Sequence, residues 1–284
     1  MKVLYEKIQE TLLRLRKKEI SDTEFYKISN INCFENYLDT TSNNNMINIL
    51  AGTISSALPV NSTVFDFYLS KGLDPNLIDK SKGRTAIFDC KYSYEIIDIL
   101  VKYGANLNLQ DDGGNTFLMY GTNFKVFKFS VDNNYEILTK NINGKDILYS
   151  LFDNRYNHGD EALNEQFKIL EFLLINEFFN LNEYNFNQMS VLQFAITYGD
   201  LPLDALELLV KYGANPKLET IKETSFRLWS EEQTILPKGT QTIDILKKQK
   251  ETLNLEYRNG LISEDHYYHK GLKYFDKAIQ ILES

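Results

Sequence analysis

The seven residues Leu100-Val101-Lys102-Tyr103-Gly104-Ala105-Asn106 occur twice in the chain, the second time as Leu209-Val210-Lys211-Tyr212-Gly213-Ala214-Asn215. A looser third copy covers residues 68–76. In each copy an apolar helical stretch ends in glycine, which has no Cβ and so adopts the left-handed conformation past a helix without a clash. The chain therefore contains a repeated helical element that stops at its glycine.

The spacing of these glycines gives the length of the repeat. Gly104 follows Gly72 by 32 residues, and Gly213 follows Gly104 by 109, which is three repeats of about 33 residues with ten left over. Two weaker repeats are therefore expected between Gly104 and Gly213. The ten extra residues fall near residues 153–160, a polar stretch that predicts a loop inserted between paired helices.

This pattern resembles ankyrin repeats, which combine a turn, a helix with a Thr-Pro-Leu-His-like start, a second helix ending in Gly, and a period of about 33 residues. Thr85, Thr116 and Ser190 match the family's helix-capping threonine; Ile87, Leu118 and Leu192 match its buried leucine; Gly104 and Gly213 match its helix-ending glycine. The family's histidine is replaced by Phe88, Met119 and Gln193, and its glycine position falls near Asn133-Asn134 in one weak repeat and at Asn176 in the other. The resemblance implies an all-α ankyrin-repeat solenoid of helix–turn–helix units with finger turns.

Three regions are expected along the chain. They are an N-terminal helical cap over residues 1–41, about five ankyrin-like repeats over 42–230, and a C-terminal helical hairpin cap over 231–284. Stacked repeats bury one continuous core, and the exposed ends of the stack need caps with a polar outer face. The amphipathic stretch 3–17 fits the first cap, and helices over 241–258 and 263–282, the latter with Ser263 as N-cap, fit the second.

The net charge and the distribution of apolar residues argue against two classes of function, nucleic-acid binding and membrane insertion. The net charge is −8, with 31 Lys and Arg against 39 Asp and Glu, so the chain has no bulk attraction for nucleic-acid phosphates. The first 27 residues carry +2, so the other 257 carry −10. No stretch approaches the ~18 apolar residues of a membrane span, and the first eighteen residues lack the unbroken apolar segment of a signal peptide. We expect a cytoplasmic protein that binds neither nucleic acid nor membranes.

No convergent set of catalytic residues is visible. His266 and His269, at i and i+3, could share one helical face and touch a metal, but no further Cys or His follows at a known ligand spacing. The run Asp111-Asp112-Gly113-Gly114-Asn115 lacks the full ligand series of a calcium loop or a phosphate-binding loop. We therefore expect no catalytic residue, no metal and no cofactor.

The resemblance implies that the chain binds another protein on the concave face made by its finger turns and first helices. We expect the contacts to come from acidic, Tyr and Asn residues there, since Tyr offers a large contact area with a polar tip. The predicted partner-binding residues are Asp79, Lys80, Asp89, Tyr92, Gln110, Asp111, Asp112, Tyr120, Asn141, Tyr149, Asp153, Tyr184 and Tyr198.

The leading functional hypothesis is an inhibitor, specifically an immunity protein that neutralises a partner toxin. An acidic inhibitor would complement a toxin with a basic cleft. The abundance of Asn, Ile, Lys and Tyr favours an AT-rich genome, and so a bacterial source. Two alternatives are an effector secreted to bind a host protein and an enzyme with its site in the 153–165 insertion or in the C-terminal cap.

Overall fold

The computed structural model describes residues 83–153, 160–185, 188–198, 201–226 and 233–284, together with scattered positions before residue 83. The predicted N-terminal cap and the start of the repeats lie almost wholly outside the described residues. The chain forms two compact units, treated separately below. Unit 1 comprises Met1–Leu118 and Lys125–Tyr135, and unit 2 comprises Met119–Phe124 and Glu136–Ser284.

Unit 1 is built from short helices. Its elements are a 3-10 helix at Ala86–Phe88, helix α1 at Tyr94–Lys102, the first half of a second 3-10 helix at Phe117–Tyr120, and helix α2 at Phe124–Asp132 apart from its first residue. Helix α1 is amphipathic, with Ile96, Ile97 and Leu100 fully buried on one face. Phe117 is equally buried and meets the ring of Tyr135 edge to face, 6.3 Å between centroids.

Unit 2 contains longer helices and the only strands among the described residues. Its elements are α3 at Ile147–Asp153, α4 at Asp160–Ile175, α5 at Val191–Tyr198, α6 at Leu203–Lys211, β1 at Thr224–Phe226, β2 at Thr234–Leu236, α7 at Thr242–Arg258, a π-helix at His266–Leu272, and α8 at Lys273–Glu283. Helix α7 buries Ile245, Leu246 and Leu253. A Cβ at Gly271 would lie 2.7 Å from a methyl carbon of Leu253, so glycine is required for this close approach.

The ends of the second helices test the glycine pattern. Gly104 and Gly213 adopt φ of +88° and +94°, and Asn134 takes the same left-handed conformation with φ +67°, as predicted. The prediction of Asn176 is wrong by one residue, because the left-handed residue is Glu177 with φ +51°. The Asn176 N–H still donates to the Phe172 carbonyl at 3.3 Å, so α4 geometry continues one residue further than expected.

The C-terminal region contains the two predicted helices and one unpredicted element. Ser263 caps as expected, since its hydroxyl accepts from the His266 N–H at 3.2 Å. The β1–β2 hairpin is antiparallel, with Thr224 opposite Leu236 and Phe226 opposite Thr234, and the sequence pattern does not predict it. No helix among the described residues is long and apolar enough to cross a bilayer.

Candidate functional site

A tight five-residue turn in unit 1 is closed by the side chain of its first residue, Asp111. The Asp111 N–H donates to the Asn115 carbonyl at 2.9 Å, and the Gly114 N–H donates to the Asp111 carbonyl at 2.8 Å. The Asp111 carboxylate accepts from the N–H groups of Gly113 and Asn115 at 3.0 and 2.9 Å. An acceptor side chain at this position therefore satisfies the backbone donors of the turn from inside.

Unit 2 repeats this closure with asparagine. The Asn141 N–H donates to the Lys145 carbonyl at 2.9 Å, and the Asn141 amide oxygen accepts from the Asn143 and Lys145 N–H groups at 2.9 Å each. Asn185 closes its turn likewise, donating to the Met189 carbonyl and accepting from the Met189 N–H. We call these the compact finger turns, residues 111–115, 141–145 and 185–189.

A fourth turn has the same closure and a much longer tip. The Thr220 N–H donates to the Thr240 carbonyl at 2.9 Å, and the Gly239 N–H donates to the Thr220 carbonyl at 2.8 Å. The Thr220 hydroxyl accepts from the Thr240 N–H at 3.2 Å. Residues 221–238 replace the two tip residues of a compact finger turn, and they contain the β1–β2 hairpin. We call residues 220–240 the expanded finger.

Asparagine side chains tie neighbouring repeats together. In unit 2 the amide of Asn182, three residues before a compact finger turn, donates to the Gly213 carbonyl at 3.0 Å and accepts from the Asn215 N–H at 2.8 Å. In unit 1 Asn76 makes the same pair of bonds to Gly104 and Asn106, at 2.9 and 2.7 Å. The Asn182 bonds hold its finger turn close to the helix end of the next repeat.

Two crystal structures resemble this chain over most of its length. That of the ankyrin repeat protein EF0377 covers 84% of this chain and 98% of its own, with a TM-score of 0.54 and 13% identity. That of an ankyrin repeat domain from Acinetobacter baumannii AYE covers 83% and 96%, with a TM-score of 0.51 and 15% identity. The chain has an ankyrin-repeat fold. The predicted all-α class is thereby confirmed, although no family model and no curated protein matches the sequence.

The predicted binding residues occupy several places in this ankyrin-repeat framework. Asp89, Tyr92, Gln110 and Asp112 are exposed in unit 1, while Tyr120, Asn141 and Tyr184 are half-buried in unit 2. Asn141 closes its finger turn, and the Tyr184 hydroxyl donates to the Glu219 carbonyl at 2.6 Å. Asp79 and Lys80 lie outside the described residues, and so do the side chains of Asp153 and Tyr198.

Burial removes Asp111 and Tyr149 from the accessible surface that the sequence predicts for them. The Asp111 side chain is 4% exposed, and its second oxygen accepts from the Arg84 guanidinium at 3.3 Å. The Tyr149 hydroxyl donates to the Met189 carbonyl at 3.3 Å, and burial raises the pKa of this hydroxyl well above its ordinary value. Both side chains hold the fold together and cannot meet a partner.

The helix starts of the repeats differ in how they are capped. Ser190 forms a capping box, because its hydroxyl accepts from the Gln193 N–H at 3.3 Å and the Gln193 amide oxygen accepts from the Ser190 N–H at 2.9 Å. The predicted cap at Thr85 makes no capping hydrogen bond, and the Thr116 hydroxyl instead bonds the Tyr135 hydroxyl at 2.6 Å. The sequence therefore identifies all three positions, but the predicted capping bond forms only at Ser190.

Asp146 stands where the other repeats have Thr85, Thr116 and Ser190. Its buried carboxylate accepts from the Tyr149 N–H at 3.2 Å. Burial raises the pKa of this carboxyl, and the charge of Glu183 adds to that, while the helix N–H groups and Lys140 oppose it. The weak repeat therefore keeps a buried acid where its neighbours use a neutral hydroxyl.

The last candidate site from the sequence is a metal site at His266 and His269. Within the part of the chain that the structure describes, no three His, Cys, Asp or Glu side chains gather as a metal site requires. His266 is half-buried at the start of the π-helix, and the side chain of His269 lies outside the described set. Of this predicted pair, only His266 has a described side chain.

Proposed function

We propose that this chain is a non-enzymatic protein-binding module whose finger turns contact another protein. The observation that carries the proposal is the internal closure of these turns. Because Asp111 and Asn141 satisfy the turn backbones, the tips are held in one shape before a partner arrives, and Ile142 at one tip is 76% exposed. A preorganised surface loses little conformational freedom on binding, which favours affinity.

We further infer that binding inhibits the partner, as an immunity protein would inhibit a toxin. The charge of −10 on residues 28–284 supports a basic partner surface, because electrostatic complementarity speeds association and excludes wrong partners. Among the predicted binding residues of unit 1, the acids that remain exposed are Asp89 and Asp112, because Asp111 is buried against Arg84. These two exposed acids are the ones that we expect a basic partner to meet.

The binding proposal is tested by affinity capture from the native cell, followed by titration of the captured protein. We expect Asp89→Lys with Asp112→Lys to slow association about tenfold at low salt and to leave dissociation nearly unchanged. Asp98→Lys, which reverses an exposed acid on the α1 helix of the same unit, is the matched control. An equal effect of the control, or binding that does not depend on salt, would count against the acidic finger surface.

The inhibitor proposal is tested separately, with the captured protein in hand. Co-expression should protect a cell from growth arrest by that protein, and the Asp89→Lys, Asp112→Lys variant should protect less. If the captured protein does not arrest growth, and saturating amounts of the chain leave its activity unchanged, the inhibitor proposal is excluded. The binding proposal is not affected by this result.

A further inference from the structure

The expanded finger contains far more chain than its closure needs. Compact finger turns close with two tip residues, whereas the Thr220 turn encloses residues 221–238. The hairpin buries Phe226 and Leu236 inward but leaves Ile235 62% exposed. The insertion therefore adds an outward surface in unit 2 that the repeat itself does not require.

This surface continues as a groove along the outer face of α7. Two adjoining depressions, each with a volume of about 530 Å³, share Lys248 and Glu251 on their lining. The groove follows α7 from Asp244 to Asn259, a length of about 22 Å at 1.5 Å per residue. It has the length of a helix of about four turns.

Apolar side chains line both halves of the groove. Ile235 lines one depression, and Leu255 and Leu261, 56% and 60% exposed, line the other. A terminal element of a repeat protein needs a polar outer face for solubility, so apolar groups clustered here indicate a surface that another molecule covers.

The charges of the groove define the chemistry of its occupant. Lys238 lines one depression and Arg258 the other, both are exposed, and neither forms an ion pair with any residue that the structure describes. Lys248 is already paired with Glu251 at 2.8 Å, and Lys247 with Glu283 at 3.1 Å. Of the other lining acids, Asp244 is exposed and Glu256 is buried. The exposed lining charges are four bases against two acids, a positive balance in a chain of net charge −8.

The shape favours a helix over an added strand. Strand β2 has three residues and is followed at once by Pro237 and Lys238, two residues that protect a sheet edge against pairing. We propose that the groove between β2 and the outer face of α7 binds an amphipathic helix of a partner protein. The apolar stripe of that helix lies on Ile235, Leu255 and Leu261, and its carboxylates face Lys238 and Arg258. This inference rests on the proposed protein-binding function but assigns a surface separate from the compact finger turns.

The test uses the purified chain and two synthetic helical peptides of 16 residues with the same leucine stripe, one flanked by Glu and one by Lys. Fluorescence anisotropy should give a roughly micromolar Kd for the Glu peptide and at least about tenfold weaker binding for the Lys peptide. Leu255→Asn with Leu261→Asn should weaken the Glu peptide about tenfold, and Lys238→Glu with Arg258→Glu should reverse the preference. Ile175→Asn removes a similarly exposed isoleucine, 57%, from the end of α4 and should leave the peptide preference unchanged.

Equal binding of the two peptides, or indifference to the groove variants once circular dichroism shows that they fold, overturns the inference. A dimer of the chain in sedimentation that Leu255→Asn dissolves also overturns it, because a second copy then fills the groove. If the chain shows no preference between the peptides but still captures its partner from the native cell, only the groove inference is wrong. Loss of capture with the peptide preference intact counts against the finger-turn function alone.

Discussion

Two neighbouring repeats of unit 2 build the same architecture from unequal sequences. The repeat that starts at Ser190 has a capping box, a second helix of nine residues and Gly213 at the helix end. The repeat that starts at Asp146 has a buried carboxylate at the cap, a second helix of sixteen residues and Glu177 at the helix end. The strong repeat agrees with local preference except at Gln188, which takes φ +59° in its finger turn, whereas the weak repeat departs from local preference at both its cap and its helix end.

The difference shows where the stability of a degenerate repeat is lost. The finger turns of both repeats close alike, through Asn141 and Asn185, so turn closure is conserved in form. Among the described residues of the weak repeat, two unfavourable features stand out, the buried acid Asp146 and the side chain of Glu177 in the left-handed region. The four substitutions below, ordered from the largest expected effect to the smallest, test this division.

The largest effect is expected from Gln193→Ala in the strong repeat. Gln193 is fully buried, accepts from the Ser190 N–H and donates to the Leu218 carbonyl at 2.9 Å. Its removal leaves the buried Ser190 N–H without a partner and opens a cavity, while the Leu218 carbonyl keeps its bonds from Thr242, and it should lower the free energy of unfolding by about 3 kcal/mol in urea titrations. Gln280→Ala, at an exposed position on α8, should change it by less than about 0.5 kcal/mol. A loss as small at Gln193 would contradict the importance of the capping box.

Gly213→Ala is expected to destabilise by about 1–2 kcal/mol. No heavy atom lies within 4 Å of a Cβ built at Gly213, so the penalty comes from the backbone at φ +94° and not from a clash. Gly213→Asn should lose less, because asparagine tolerates this conformation, as Asn134 does in its repeat. Thermal unfolding measures the stability lost in each of the two variants. Equal losses for alanine and asparagine would show that backbone conformation is not the cause.

Asp146→Asn is expected to stabilise by about 1 kcal/mol at pH 7 and by nothing near pH 3. The raised pKa means that the folded state holds the Asp146 proton more tightly than the unfolded state does. Below the ordinary carboxyl pKa both states are protonated, so the wild type loses stability only as pH rises through the raised pKa. Urea titrations at pH 3, 5 and 7 check this, with Asp98→Asn at an exposed position on α1 as the matched control. A gain that grows toward acid pH would contradict the sign.

The smallest effect is expected from Glu177→Gly. Glycine relieves the left-handed strain at φ +51° but adds freedom to the unfolded chain, so the net gain should be about 0.5 kcal/mol. The neighbouring Asn176→Gly should destabilise, because Asn176 retains a helical N–H bond to Phe172. Reversed signs in thermal unfolding would place the helix end at Asn176.

The sequence predicts a structural feature reliably where that feature requires one particular type of residue. Gly104 and Gly213 identify helix ends because few other residues adopt the left-handed conformation, and buried Ile87, Leu118 and Leu192 follow from their fixed distance to the turn. Glutamate is not a residue type that indicates a helix end, so the sequence predicts this end at Asn176, one residue before Glu177.

The candidate site is less predictable, because adjacent residues of one type have opposite roles. Asp111 and Asp112 look alike in the sequence, yet turn geometry directs the first inward to Arg84 and leaves the second exposed. The expanded finger is hidden for another reason. Its closing residue is Thr220 and not Asp or Asn, and 18 residues in place of two break the period that reveals the other turns.

Hydrogen exchange of the chain, alone and bound to the protein captured from its native cell, shows which amides the partner covers. We expect binding to slow exchange at the tip amides of the compact finger turns, around Asp112 and Asn143, and to leave exchange on the exposed faces of α4 and α6 unchanged. Protection confined to α4 and α6, with the finger turns exchanging as in the free chain, would contradict a function based on these turns.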